Sequence, residues 1–247
     1  MFQPFLIALQ FLTQFPVRLS TEPNEEATGK SILFYPVIGF LIGLLLASLS
    51  WLLYGSAPPI VACVLILICW VFITGGLHLD GLADSADAWV GGAKDRERTL
   101  TIMKDPNCGP AGVVAIVLLL LLKFATLYML VLADAWVILI LAATLGRTIL
   151  PLLFLTTPYV RPNGLGSSLV IHMPRYPSMV VIALTSLLAT LTVGVNSLWL
   201  LAAIVVIFLI FRHLMLRRIG GTTGDTAGAL VEITEVSVLL VAILLAT

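Results

Sequence analysis

The chain has 247 residues, no formal net charge, and 11% charged residues against 60% hydrophobic ones. Soluble domains carry about 25% charged residues, so this composition, with a mean hydropathy of +1.12, excludes an ordinary soluble domain. It describes one polytopic membrane domain over residues 1–247, an all-α helical bundle in the lipid bilayer. The zero balance gives no electrostatic footprint for a nucleic acid.

Residues 2–16 are apolar but too short to span, because a crossing needs about 20 residues. Their glutamines and phenylalanines predict a helix lying in the membrane interface. Residues 18–31 are polar. Apolar runs near 32–54, 59–76, 111–132, 135–156, 178–195, 197–216 and 231–246 predict about seven transmembrane helices. The last run is short if Glu232 and Glu235 sit at its mouth. Cys63 and Cys69 fall inside an apolar run and read as core residues, and Cys108 has no partner pattern, so neither a disulfide framework nor a zinc site is expected. The N-terminus lacks a basic segment and a small-residue cleavage site, so no cleaved signal peptide is expected.

The Lys/Arg distribution sets an orientation. With the N-terminus inside, the inner segments hold Arg18, Lys30, Lys94, Arg96, Arg98, Lys104, Arg161, Arg175, Arg217 and Arg218, and the outer turns hold none. This predicts a cytoplasmic N-terminus and a periplasmic C-terminus. The three long connections, 77–110, 157–177 and 217–230, then face the cytoplasm.

The first connection opens with Gly75-Gly76-Leu77-His78-Leu79-Asp80-Gly81-Leu82-Ala83-Asp84-Ser85-Ala86-Asp87. On a helix Asp80, Asp84 and Asp87 lie within roughly 60° of one another. Three like charges on one face destabilise a helix unless a cation neutralises them. Mg²⁺ takes oxygen ligands and keeps phosphate oxygens in its remaining positions. The plainer reading is an acidic solvated face. His78 is a candidate base, although a regular helix points it away from Asp80. The charges at 94–98 read as solvated surface. The later turn Lys104-Asp105-Pro106-Asn107-Cys108-Gly109-Pro110 fixes a loop that presents Lys104 and Asp105 to phosphate or metal. Lys123 and Arg147 lie inside apolar runs, where an ionisable residue has a partner or a function. Arg147 suits a phosphate or a carboxylate, and Lys123 suits a substrate or a buried acid such as Asp84.

The second connection holds Arg161, Asn163, Gly164, Gly166 and His172, with Arg161 and His172 as candidate substrate contacts. Its Gly and Pro content argues against regular structure. The third reads Gly220-Gly221-Thr222-Thr223-Gly224-Asp225-Thr226-Ala227-Gly228 and continues to Glu232. Asp225 and Glu232 return to one face, and Gly224 leaves a helix start accessible to an anion. Two acidic helix mouths, 80–87 and 225–232, brought together would cage Mg²⁺. Acids, buried cations and glycine turns of this kind suit metal-assisted phosphoryl transfer.

The 75–84 motif, the Lys104-Asp105 loop before Gly109-Pro110, and Gly220-Gly221-x-Thr223-Gly224-Asp225-x2-Gly228 together resemble the cobalamin synthase (adenosylcobinamide-GDP ribazoletransferase) family over nearly the whole chain. The resemblance implies a bacterial inner-membrane enzyme of the last cobalamin assembly step. Its substrates would be a corrinoid nucleotide and α-ribazole or its 5′-phosphate, GMP would leave, and Mg²⁺ would be required. Asp80, Asp84, Asp87, Asp225 and Glu232 would then hold metal. A second copy of the chain or other cobalamin-assembly enzymes are left open as partners. The alternatives are another Mg²⁺-dependent intramembrane alcohol phosphotransferase, of which Asp80-Gly81-x-Ala83 is only an echo, and a cation-coupled transporter.

Overall fold

A computed structural model describes residues 2–19, 22–162, 165–194 and 196–245. Helices account for its regular structure: α1 (Phe2–Leu12), α2 (Glu25–Ser31), α3 (Tyr35–Leu53), α4 (Pro59–Thr74), α5 (Leu77–Gly91), α6 (Arg96–Ile102), α7 (Pro110–Leu132), α8 (Val137–Thr156), α9 (Leu165–Ile171), α10 (Arg175–Val193), α11 (Asn196–Ile219) and α12 (Gly224–Leu244). The all-α bundle expected from composition is what the chain forms.

Six runs among the described residues are long and apolar enough to cross a membrane: Glu25–Leu53, α7, α8, α10, α11 and α12. The pair α4 and α5 adds a seventh but bends by 85°. Gly75 and Gly76 make the bend, with φ of 62° and 69°, a left-handed conformation that a Cβ disfavours. At this bend α5 leaves the line of α4.

Small residues bring the central helices together. Gly39 and Gly43 of α3 face α8, and a Cβ at Gly43 would stand 2.5 Å from the Cα of Ile140. Such a small-x3-small stripe lets backbones approach where lipid supplies no hydrophobic drive. Helix α12 packs against α5, α7, α8 and α11. It starts at Gly224, well before the expected 231, because Thr223 and Thr226 form a capping box there. Glu232 and Glu235 therefore lie inside the helix, about two to three turns from its start, and the expectation of a short last span with acids at its mouth is corrected.

The long connections meet at one end of the bundle. The second and third join through backbone bonds: Val160 N–H donates to the Thr222 carbonyl at 2.9 Å, and Thr222 N–H donates to the Pro158 carbonyl at 2.8 Å. Arg218, at the end of α11, donates to the Trp89 carbonyl (2.9 Å) and to Thr99 Oγ1 (3.0 Å), which ties down the C-terminal end of α5. The second connection is more regular than its composition suggests, since it holds α9. Asn163 and Gly164 lie outside the described residues.

Candidate active site

Helix α5 carries small residues on the side that meets α12. A Cβ at Gly81 would stand 2.7 Å from the Asp225 carbonyl oxygen, and one at Gly228 would stand 3.2 Å from the Cα of His78. The two expected acidic mouths are thus in backbone contact, with Asp80 and Asp84 on one side and Asp225 on the other. Thr223 Oγ1 accepts from Thr226 N–H at 3.2 Å and fixes the first turn that presents Asp225.

Asp225 pairs with Arg161, Oδ2 to Nη1 at 2.8 Å. Arg161 also donates to the Met103 carbonyl at 3.2 Å, and its Nε is buried with no hydrogen-bond partner. Partial burial, with the charges of Asp80 and Asp225 nearby, raises the Asp84 carboxyl from its ordinary 3.8 to about 6, and Arg161 opposes this. A cavity of about 510 Å³ is lined by His78, Asp80, Arg161, Gly224 and Asp225 together with an apolar wall.

Other expected residues have different work. Asp87, expected among the metal ligands, serves as a helix cap. It accepts from Gly109 N–H (2.7 Å) and Gly112 N–H (2.9 Å). Helix α7 starts on Gly109, which has no side chain to cap it, so a carboxylate from α5 satisfies its free donors. Glu232, also expected there, accepts from Lys123 Nζ at 2.7 Å. Lys123 also meets Glu235 at 2.5 Å and sits 4.5 Å from the centre of a Trp70 ring. Arg147 pairs through Nη1 with Glu235. The four residues are buried at 0–3% exposure, two cations against two anions, so the charges of Lys123 and Arg147 are compensated inside the bundle. Lys123 meets these glutamates and not Asp84.

His172, expected as a substrate contact, lies between two helices. Its Nε2 lies 3.3 Å from Glu25 Oε2 and its backbone packs on Gly29, so it joins α9 to α2. Lys104 and Asp105 are exposed, and Asp105 accepts from the backbone and side chain of Asn107 at 3.0 and 2.7 Å, which shapes the loop whose Met103 carbonyl meets Arg161.

Sequence reasoning passed over Tyr159, Tyr35 and Phe154, which line the cavity, and Glu235. Glu235 carried a signal: an acid inside an apolar run, like Lys123 and Arg147, needs a partner. The aromatic wall carried none, because in a bundle this apolar an aromatic residue is ordinary. Among the described residues no group of three His, Cys, Asp or Glu side chains is placed to hold a metal ion.

An acidic, arginine-flanked cavity between helix starts, at one end of a multi-pass bundle, defines a polytopic membrane protein with chemistry suited to phosphoryl transfer. The sequence matches the family described as Cobalamin-5-phosphate synthase over residues 4–243. The chain belongs to that family. It is 53% identical to an adenosylcobinamide-GDP ribazoletransferase of Pseudomonas putida (strain W619), covering 96% of this chain and 97% of the relative. It is 51% identical to the protein of that name from Pseudomonas savastanoi pv. phaseolicola, covering 98% and 99%, and 52% identical to that of Stutzerimonas stutzeri, covering 96% of each. No solved structure matches.

Proposed function

We propose that the chain is an adenosylcobinamide-GDP ribazoletransferase. A ribose hydroxyl of α-ribazole, or of its 5′-phosphate, attacks the phosphorus that carries the cobinamide arm. A new P–O bond forms, the bond to GMP breaks, and the hydroxyl proton leaves. The observation that carries the reading is the meeting of Asp80 and Asp225 beside Arg161 in one cavity, with Asp84 close enough to feel both carboxylates, in a chain that matches its relatives over nearly its full length.

In this reading one or two of the Asp80, Asp84 and Asp225 carboxylates would hold Mg²⁺, since the three are not placed around one ion. Their chemistry fits: they are hard oxygen donors, burial and the neighbouring carboxylates raise Asp84, and Mg²⁺ commonly takes one or two protein carboxylates with phosphate oxygens and waters. Bound there, the ion would neutralise charge on the diphosphate. Arg161, with a buried and unsatisfied Nε, supplies a fixed positive charge for a phosphate oxygen. Gly224 keeps the start of α12 open to an anion. Positioning and charge stabilisation supply most of such a transfer, so His78 is given no proton-transfer role. The Lys/Arg asymmetry supports a cytoplasmic site in a bacterial inner membrane.

Purified full-length protein should release GMP from adenosylcobinamide-GDP only when α-ribazole and Mg²⁺ are both present. Asp80→Ala and Asp225→Ala should each abolish release while leaving the helical signal intact. Near-normal turnover of Asp225→Ala at saturating Mg²⁺ would show that the two acidic mouths do not share a site.

A further inference from the structure

The cavity has two chemically different ends. Asp80, Asp225 and Arg161 make one end polar. Two aromatic pairs wall the rest: Phe11 and Tyr35 stack with centroids 6.2 Å apart and planes at 19°, and Phe154 meets Tyr159 edge to face at 6.2 Å and 75°. Leu150 and Leu169 add aliphatic surface.

We propose that the apolar end seats the heterocyclic base of the acceptor, a planar benzimidazole-type ring. The inference rests on the transferase reading. Size selects the occupant: about 510 Å³ falls within the roughly 300–1,000 Å³ of small-ligand pockets. That volume suits a nucleoside, and a corrin macrocycle with its side chains is far larger. Shape selects it as well, because aromatic side chains bind flat bases by stacking. Connectivity agrees: a base at the aromatic end leaves its ribose between that wall and the Asp80–Asp225–Arg161 end, where the hydroxyl has to reach phosphorus. The corrinoid portion of the donor then stays outside the cavity, with only its diphosphate entering.

The test measures KM for each substrate separately with purified full-length protein. Leu169→Trp fills the apolar end and Phe154→Ala removes one aromatic wall. Each should raise KM for α-ribazole by about ten-fold or more and leave KM for adenosylcobinamide-GDP unchanged. Unshifted α-ribazole KM in both wall variants, or a shift confined to the corrinoid substrate, overturns this inference alone. Absence of GMP release from the unaltered chain overturns the transferase reading, and this inference with it.

Discussion

Gly81 lies directly against the backbone of Asp225: a Cβ on it would stand 2.7 Å from the Asp225 carbonyl oxygen and 3.0 Å from its Cα. Hydrogen at this position is what lets α5 and α12 bring their carboxylates together. Gly81→Ala has to separate the helices, and overpacking of this kind costs about 1–3 kcal/mol. The displacement acts at the site itself, where an error of ~1 Å can lower a rate on the order of 100-fold. The expected result is a modest drop in melting temperature with a much larger loss of GMP release. A rate that falls only as much as the folded fraction would show that the α5–α12 spacing does not position the acids.

Asp87 gives a second test, because cap and metal ligand predict different phenotypes. As the cap of α7, its loss in Asp87→Ala should destabilise the protein by about 1 kcal/mol and leave the Mg²⁺ concentration for half-maximal activity unchanged. Gly109 and Gly112 N–H donate to different oxygens of Asp87, so Asp87→Asn keeps an acceptor for one of them and should recover part of that stability. A large rise in the Mg²⁺ requirement of Asp87→Asn would return Asp87 to the metal site.

These two positions show what the sequence could and could not convey. The helix over 77–91 was legible from its spacing, and Asp80 and Asp84 stayed together because both look out from one face. Asp87 shares that face by angle. Its partner is the start of α7, more than twenty residues on, and periodicity carries no information about a contact of that range. The Gly-Thr turn before Asp225 announced a helix start, but the apolar run alone suggested that the span began near 231. The capping box moved the start to Gly224 and carried Glu232 and Glu235 into the bundle, where Lys123 and Arg147 await them. Depth and charge were readable residue by residue; the pairing between spans required the packing of α7, α8 and α12.

That pairing is itself testable. Lys123 and Arg147 face Glu232 and Glu235, so removing one member leaves a buried charge uncompensated, typically at a cost of about 3–5 kcal/mol. Arg147→Met should lower thermal stability strongly. Arg147→Met combined with Glu235→Leu should be less destabilised than the sum of the two single changes, since charge leaves in a pair. Arg147→Lys keeps the charge and should retain most of the GMP-release rate per folded molecule. Wild-type melting behaviour with a collapsed rate in Arg147→Lys would instead place the guanidinium on the substrate diphosphate.

The Asp84 carboxyl, raised to about 6 by burial and by its acidic neighbours, gives a prediction with a defined sign. In the unfolded chain it titrates near its ordinary 3.8, so between these values the folded state holds the proton and the unfolded state has lost it. Without metal, the contribution of this group to stability is fully present at the acid end and declines as pH rises from about 4 to about 6. A metal ion requires the deprotonated form, so its affinity runs the other way and increases as pH rises through about 6. Melting curves at pH 5 and pH 7.5, each with and without Mg²⁺, separate the two effects. The rise in melting temperature on adding Mg²⁺ should be clearly larger at pH 7.5, and Asp84→Asn should remove most of the pH dependence of that rise. An equal Mg²⁺ effect at both pH values would place the ion away from Asp84.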